Sequence, residues 1–174
     1  TGKYTNSSTY VSASDSMSGV DSIYMKAPGS SSYANMGTST MVSSTGTNGL
    51  YYFYAKDKAG NTSATYYLYL DTVKPTGTIK NSSGTAITGS YTNQAFSYSA
   101  TDSGSGISYL QYKKPSSSSW LTYTSGTSIS ASATSGTYQF RAVDKAGNIS
   151  ATKSITLDSS KPTMTLYSET TSVS

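Results

Sequence analysis

The side chains of this sequence that can do chemistry are hydroxyls, carboxylates and amines. The chain contains no histidine and no cysteine, and it has 8 acidic residues. Serine needs an adjacent base, most often histidine, before it acts as a nucleophile, and no Gly-x-Ser-x-Gly motif is present. The acids lie in turn segments rather than as a pair flanking a cleft, as a glycosidase requires. We therefore predict that the chain is not an enzyme and that it has no disulfide or thiolate metal site.

The sequence is a tandem repeat in which residues 87 positions apart correspond without a gap. The run Asp57–Asn61 recurs as Asp144–Asn148, and Lys74-Pro75 recurs as Lys161-Pro162. A period of this length is that of a whole small domain, not of a solenoid unit. Tandem copies of a small domain typically provide reach or avidity rather than catalysis. Residues 87 positions apart are called counterparts below.

Alternation of apolar and polar residues predicts strands throughout each repeat. In the second repeat it marks five segments: 96–100, 109–113, 128–133, 138–143 and 154–157. Turns rich in Gly, Ser and Asn separate them, and no helical periodicity of useful length is present. About seven short strands per repeat are typical of an antiparallel two-sheet sandwich. The sequence thus predicts an all-β fold with two tandem immunoglobulin-like antiparallel β-sandwich domains.

The predicted domain boundaries follow from the phase of the repeat. The predicted domains are residues 1–74 for the first repeat, 75–161 for the second repeat, and 162–174 for a C-terminal segment. The second repeat opens with Thr76–Lys80 ahead of Tyr91, and the counterpart of this opening segment is Thr163–Tyr167. The first repeat has no such segment ahead of Tyr4. We therefore expect it to lack its first strand, and 162–174 to be the first strand of a following repeat or a donor strand.

Four motifs occur in the same order in both repeats. In the second they are Tyr-Thr-Asn at 91–93, Gly-x-Tyr-x-Phe-x-Ala-x-Asp at 136–144, Lys-Ala-Gly-Asn at 145–148 and Asp-x-x-Lys-Pro-Thr at 158–163. This combination resembles the bacterial immunoglobulin-like (Big-type) tandem repeats of large secreted or cell-wall-attached surface proteins, and the resemblance covers nearly the whole chain. It implies an extracellular location, a stalk, spacer or adhesive role, and no catalytic residues.

The aspartates of the turns have two interpretations. The runs that begin at Asp57 and Asp144 predict tight hairpin turns, in which the carboxylate accepts backbone N–H groups. In an immunoglobulin-like sandwich the loops that carry Asp102 and Asp144 lie at the end that the preceding repeat reaches, so both would face Asp71. Three carboxylates with carbonyl oxygens are suitable ligands for Ca²⁺. We expect no cofactor to be required for folding, with Ca²⁺ held by Asp71, Asp102 and Asp144 at the domain junction as the alternative.

Alternation along three strands also predicts a tyrosine-rich outer face on the first repeat. Leu68 and Leu70 should point inward, and residues next to inward positions point outward because successive side chains of a strand alternate between faces. The outward residues are predicted to be Tyr24, Tyr52, Tyr54, Tyr67 and Tyr69. Their counterparts are Gln111, Gln139, Arg141, Ser154 and Thr156. The tyrosines are either a partner-binding face or simply good exposed strand formers.

The charge and hydropathy of the chain argue against two classes of partner, nucleic acids and the membrane interior. The net charge is +4, but the basic residues are scattered, which argues against nucleic-acid binding. No apolar run approaches the roughly 20 residues of a membrane span, so no membrane insertion is expected. A short Lys-Pro linker favours a semi-rigid rod.

We therefore predict a non-catalytic extracellular stalk or spacer and adhesive segment of a bacterial surface protein. Its partners would be neighbouring repeats of the same protein and a host surface or glycan. Two alternatives remain: an extracellular fibre subunit whose copies join head to tail by strand donation, and a carbohydrate-binding accessory domain.

Overall fold

The computed structural model describes residues 2–167. Thr1 and residues 168–174, the last part of the predicted C-terminal strand, lie outside the described residues. Fourteen strands are present in the described part of the chain. The strands are β1 (Gly2–Thr5), β2 (Thr9–Ser12), β3 (Val20–Lys26), β4 (Ala34–Asn35), β5 (Ser39–Val42), β6 (Gly49–Asp57), β7 (Tyr66–Leu70), β8 (Thr76–Asn81), β9 (Tyr91–Thr92), β10 (Phe96–Thr101), β11 (Ile107–Lys113), β12 (Leu121–Tyr123), β13 (Gly136–Asp144) and β14 (Lys153–Leu157). No helix within residues 2–167 is long and apolar enough to span a membrane.

Each repeat builds one five-stranded sheet and one two-stranded sheet. The first repeat has the strand orders β1-β7-β6-β3-β4 and β2-β5, and the second repeat has β12-β11-β13-β14-β9 and β10-β8. The pairs are antiparallel except β1 with β7 and β9 with β14, which are parallel. The fold is therefore all-β, with two tandem immunoglobulin-like β-sandwiches, as the sequence predicts.

The inward faces of the strands form a separate core in each repeat. Along β13 the side chains of Tyr138, Phe140 and Ala142 are buried, while Gln139 and Arg141 between them are more exposed. Ile155 on β14 joins the same core. The first repeat has an equivalent but smaller core. It contains Ile23, Val42, Tyr51, Phe53, Leu68 and Leu70.

A buried tyrosine fixes the corner before the long strand of each repeat. The Tyr51 hydroxyl donates to the carbonyl oxygen of Thr47 at 2.9 Å, and the Tyr138 hydroxyl donates to that of Thr134 at 3.0 Å. This is the tyrosine corner of immunoglobulin-like sandwiches. Burial raises the pKa of both hydroxyls above the ordinary tyrosine value.

The smaller, two-stranded sheet uses different strand pairs in the two repeats. The predicted strand at 128–133 is absent except for a bridge between Ile129 and Phe96. Within that segment the Ser130 hydroxyl accepts a hydrogen bond from the Ser132 backbone N–H at 3.2 Å, a local turn that competes with strand pairing. On the other edge of β10, β8 pairs along its whole length. In the first repeat β2 pairs with β5, and no strand within residues 2–167 occupies its other edge.

Candidate functional site

Asp71 follows β7 and lies at the joint between the two repeats. Its backbone N–H donates to the Thr5 carbonyl oxygen at 2.9 Å, and its side chain is 0% exposed. Carboxylate atom Oδ1 accepts the Val73 N–H at 3.0 Å within its own turn. Oδ2 accepts the Ser105 N–H of the second repeat at 2.6 Å. A residue of the first repeat is therefore bound into a loop of the second.

Asn148 makes the second hydrogen bond across the joint. It ends the turn that begins at Asp144, where its N–H and Nδ2 donate to the two Asp144 carboxylate oxygens at 2.8 and 2.7 Å. The same Nδ2 donates to the Asp71 carbonyl oxygen at 2.8 Å. The turn thus holds Asn148 in the orientation that reaches the preceding repeat.

Gly104 allows the two repeats to approach closely. A Cβ atom built on Gly104 would lie 2.6 Å from Oδ1 of Asp71, nearer than real Cβ contacts. The φ angle of Gly104 lies outside the left-handed region, so the glycine is needed for space and not for backbone conformation. Two further contacts flank it: the Lys145 ammonium lies 5.7 Å from the Tyr4 ring centroid, and Gly147 lies against Asn6.

The joint gathers the three aspartates of the predicted cation site. One carboxylate oxygen from each of Asp71, Asp102 and Asp144 lies within 4.8 Å of the other two. Oxygens bound to one Ca²⁺ ion lie at most about 5 Å apart. The donors to these carboxylates are neutral backbone N–H groups and the Asn148 amide. Asp102 Oδ2 is buried, and no group within residues 2–167 donates to it.

The opposite end of the first repeat, called its free end because it contacts no other repeat within residues 2–167, has the same loops. Asp15 accepts the Gly19 N–H at 2.8 Å as its counterpart Asp102 accepts the Gly106 N–H, and Asp57 accepts the Asn61 N–H at 2.8 Å. The Asn61 side-chain hydrogen bond is the main cause of the lowered pKa of Asp57. Met17, the counterpart of Gly104, is 95% exposed. Contacts found in both sets of loops are made by the turns themselves, and those found only in the second repeat are made by the joint.

Asp158, the counterpart of Asp71 near the C-terminus, shows how this aspartate is placed where no repeat within residues 2–167 packs against it. Asp158 keeps the local turn, in which its carboxylate accepts the Ser160 N–H at 2.9 Å, yet its side chain is exposed. Hydrogen bonding by Ser160, above all by its hydroxyl, lowers the pKa of Asp158. The burial of Asp71 is therefore due to the second repeat and not to its own turn.

The five predicted tyrosines share the outer face of the larger sheet of the first repeat. Adjacent strands place Tyr24 opposite Tyr54 and Tyr52 opposite Tyr67. The rings of Tyr24 and Tyr54 stack at a centroid distance of 4.8 Å and an interplanar angle of 6°. Tyr69, on β7, packs at 5.7 Å against a further tyrosine, Tyr4.

Two more residues complete this tyrosine face. The Tyr33 ring meets the Tyr54 ring edge-on at 4.9 Å. The Lys26 ammonium lies 4.6 Å from the Tyr52 ring centroid and 5.4 Å from that of Tyr33. The contacts between rings and the cation fix the side chains in place.

The second repeat has a different surface at the same positions. Its only tryptophan, Trp120, is the counterpart of Tyr33 and is covered by the Arg141 guanidinium at 4.2 Å and the Lys113 ammonium at 4.9 Å. The Arg141 Nε atom also donates to Gln111 at 2.8 Å. Cations, amides and hydroxyls, with one tryptophan, occupy the face that tyrosines form on the first repeat.

The sequence alone did not identify several residues of these two sites. Ser105, Gly104 and the bridging role of Asn148 depend on the approach of Asp71 to two loops of the second repeat that lie 34 and 77 positions away along the chain. The sequence did distinguish Gly104, because the counterpart position in the first repeat holds the much larger Met17. Tyr33 directly precedes the two-residue edge strand β4, where alternation is too short to assign a face, and Lys26 is the last residue of β3.

Comparisons with known proteins find a likeness among solved structures. A scan against protein-family models found no match, and a search of curated proteins found none. Among solved structures, the fibronectin(III)-like modules of Clostridium thermocellum CbhA match with a TM-score of 0.38 and 15% sequence identity, over 89% of this chain and 86% of that chain. A likeness of this degree carries no argument about what the chain binds.

Proposed function

We propose that the chain is a rigid spacer made of tandem immunoglobulin-like repeats, within an extracellular bacterial surface protein. The observation that supports this proposal is the burial of Asp71 in the loops of the second repeat. A linker whose side chain and carbonyl are both bound by the next domain resists bending, unlike a solvated tether. The repeat motifs support the bacterial surface location.

The carboxylates of the joint fit a hard divalent cation. Asp71, Asp102 and Asp144 would hold Ca²⁺, which would supply positive charge to the Asp102 oxygen that has no hydrogen-bond donor in the described part of the chain. Each sandwich has its own apolar core, so we propose that calcium stiffens the joint and is not required for either repeat to fold.

The rigidity of the joint is tested by substituting Gly104→Met, which introduces the residue of the counterpart position. The chain has no cysteine, so nitroxide labels on Ser31→Cys and Ser118→Cys, both exposed, report one distance between the repeats. We expect a narrow distance distribution by pulsed electron resonance for the parent chain. Gly104→Met should broaden it, because the new side chain displaces the Asp71 carboxylate from Ser105.

The matched control is Met17→Gly at the free end, which should leave the distribution unchanged. Fluorescence of Trp120 during unfolding checks that Gly104→Met leaves the second repeat folded. A parent chain with a distribution as broad as that of Gly104→Met would contradict the rigid joint.

A second function, adhesion through the tyrosine face, is supported by the stacked and cation-capped rings described above. Pre-arranged aromatic side chains lose little conformational entropy on binding, and pyranose rings stack on aromatic surfaces. We propose a carbohydrate chain as the ligand of the tyrosine face.

This second function is tested with the double variant Tyr67→Ser and Tyr69→Thr, which introduces the counterpart residues. The parent chain should be retarded by at least one of a panel of soluble polysaccharides in affinity electrophoresis, and the double variant should not. Leu121→Ser on the second repeat is the matched control and should behave as the parent. Equal retardation of parent and double variant would refute the role of this face.

A further inference from the structure

An open groove runs beside β2 in the first repeat and reaches the core. It has a volume of about 540 Å³ and is lined by Val11 and Ala13 on one side, Tyr66 on the other, and Phe53 and Leu68 at its base. These residues belong to or adjoin β2, β6 and β7. In the second repeat the counterpart strands β10, β13 and β14 all contact β8. The groove is therefore the place that β8 fills in the second repeat.

The segment with the sequence character of β8 is Thr163–Tyr167. On β8, Ile79 lies opposite Tyr98 and is only 6% exposed, as part of the core. The counterpart of Ile79 is Leu166, which is 87% exposed, and Met164 nearby is 85% exposed. One part of the chain exposes a core-facing groove, and another exposes the apolar side chains that such a groove buries.

The side chains of groove and segment also match in size. On β8, Gly77 is required because a Cβ there would lie 2.6 Å from Cζ of Tyr98. In the first repeat the counterpart of Tyr98 is the much smaller Val11, and in the C-terminal segment the counterpart of Gly77 is Met164. On a strand added in the register of β8, the larger Met164 would be the diagonal neighbour of the smaller Val11, as Gly77 is of Tyr98. Paired changes of this kind keep the packed volume of a core.

We propose that Thr163–Tyr167 of one copy of the chain adds as an antiparallel strand to β2 of a second copy. Leu166 would lie opposite Val11 and Met164 opposite Ala13, in the register of β8 on β10. The added strand would pair the free edge of β2 and close the core of the first repeat. Since donor and acceptor surfaces differ, the contact is heterologous and propagates into a filament.

The groove of the same chain is too far away for this segment. From Leu157 at the end of β14, six residues lead to Thr163, a reach of about 20 Å. The nine residues of β13 alone extend about 30 Å from Gly136, which pairs with Leu157, to Asp144 at the joint. The first repeat lies beyond the joint, so a second copy is the occupant to which the distances point.

Assembly of the full chain is tested by light scattering after size exclusion across a wide range of protein concentration. The parent chain should exceed the 18.2 kDa monomer mass increasingly with concentration. Leu166→Asp should remain monomeric, because a carboxylate cannot enter the core. Val11→Tyr should also remain monomeric, because the new ring takes the space of Met164. Adding Met164→Gly to Val11→Tyr should restore assembly, since it recreates the Tyr98 and Gly77 pair.

A peptide of residues 161–167 provides a second measurement that does not depend on assembly. It should bind full-length Leu166→Asp and raise the unfolding temperature of the first repeat, whereas the same peptide with aspartate at position 166 should not. A parent chain that stays monomeric at every concentration overturns the proposal, whether the peptide binds or not. Assembly that survives both Leu166→Asp and Val11→Tyr also overturns it, because the contact then lies elsewhere.

Discussion

At the scale of single residues, Phe140 is the centre of the core of the second repeat. Its side chain is fully buried, and its ring lies 5.1 to 6.2 Å from the rings of Tyr98, Tyr123, Tyr112 and Phe96. Phe140→Ala should lower the free energy of unfolding by about 3–5 kcal/mol, because the enclosed site cannot collapse around the lost ring. Denaturant unfolding followed by Trp120 fluorescence measures this, since the only tryptophan reports on the second repeat.

The matched variant is Phe53→Ala in the first repeat. Phe53 is buried, but it lines the open groove, so water and neighbouring side chains can fill the space left by its ring. Its cost, followed by circular dichroism, should be smaller than that of Phe140→Ala by about 1–2 kcal/mol. A cost below about 1 kcal/mol for Phe140→Ala would show that its side chain does not form the core.

At the scale of secondary-structure elements, alternation in the sequence was sufficient to locate a strand that has one solvent-exposed face and one buried face. It located β10, β11, β13 and β14 to within two residues at either end. It was wrong for 128–133, where Ile129 is the one large apolar side chain at the core and serine and alanine supply the rest of the alternation. Hydroxyl groups there bond to the local backbone instead.

The joint was only partly predictable from the sequence. The repeat phase and the loop order of the fold bring Asp71, Asp102 and Asp144 together, and the structure places them so. Their role as cation ligands stays a prediction. The bonds from Ser105 and Asn148 to Asp71 join residues 34 and 77 positions apart, and no local pattern encodes such contacts.

At the scale of the whole molecule, the loops that receive Asp71 at the joint differ from their counterparts at the free end of the first repeat. The first repeat presents Asp15, Asp57 and Met17 at its free end, whereas the second presents Asp102, Asp144 and Gly104 to a neighbour. Met17 at the free end occupies the position where a neighbour's aspartate would have to enter. A second copy whose Thr163–Tyr167 adds to β2 would therefore not bury its Asp158 there in the way that Asp71 is buried.

Calcium should act on the molecule through that joint. We expect excess Ca²⁺ to raise the unfolding temperature by several degrees relative to a chelator, because a cation that binds only the folded joint stabilises it by mass action. The circular dichroism spectrum in chelator should remain that of a folded β protein, since each repeat has its own core. Asp102→Asn should abolish the calcium-dependent increase by removing the charge at Oδ2, whereas Asp15→Asn at the free end should retain it. Coincident unfolding curves of the parent chain in calcium and in chelator would rule out the cation, and the hydrogen bonds of Asp71 alone would then hold the joint.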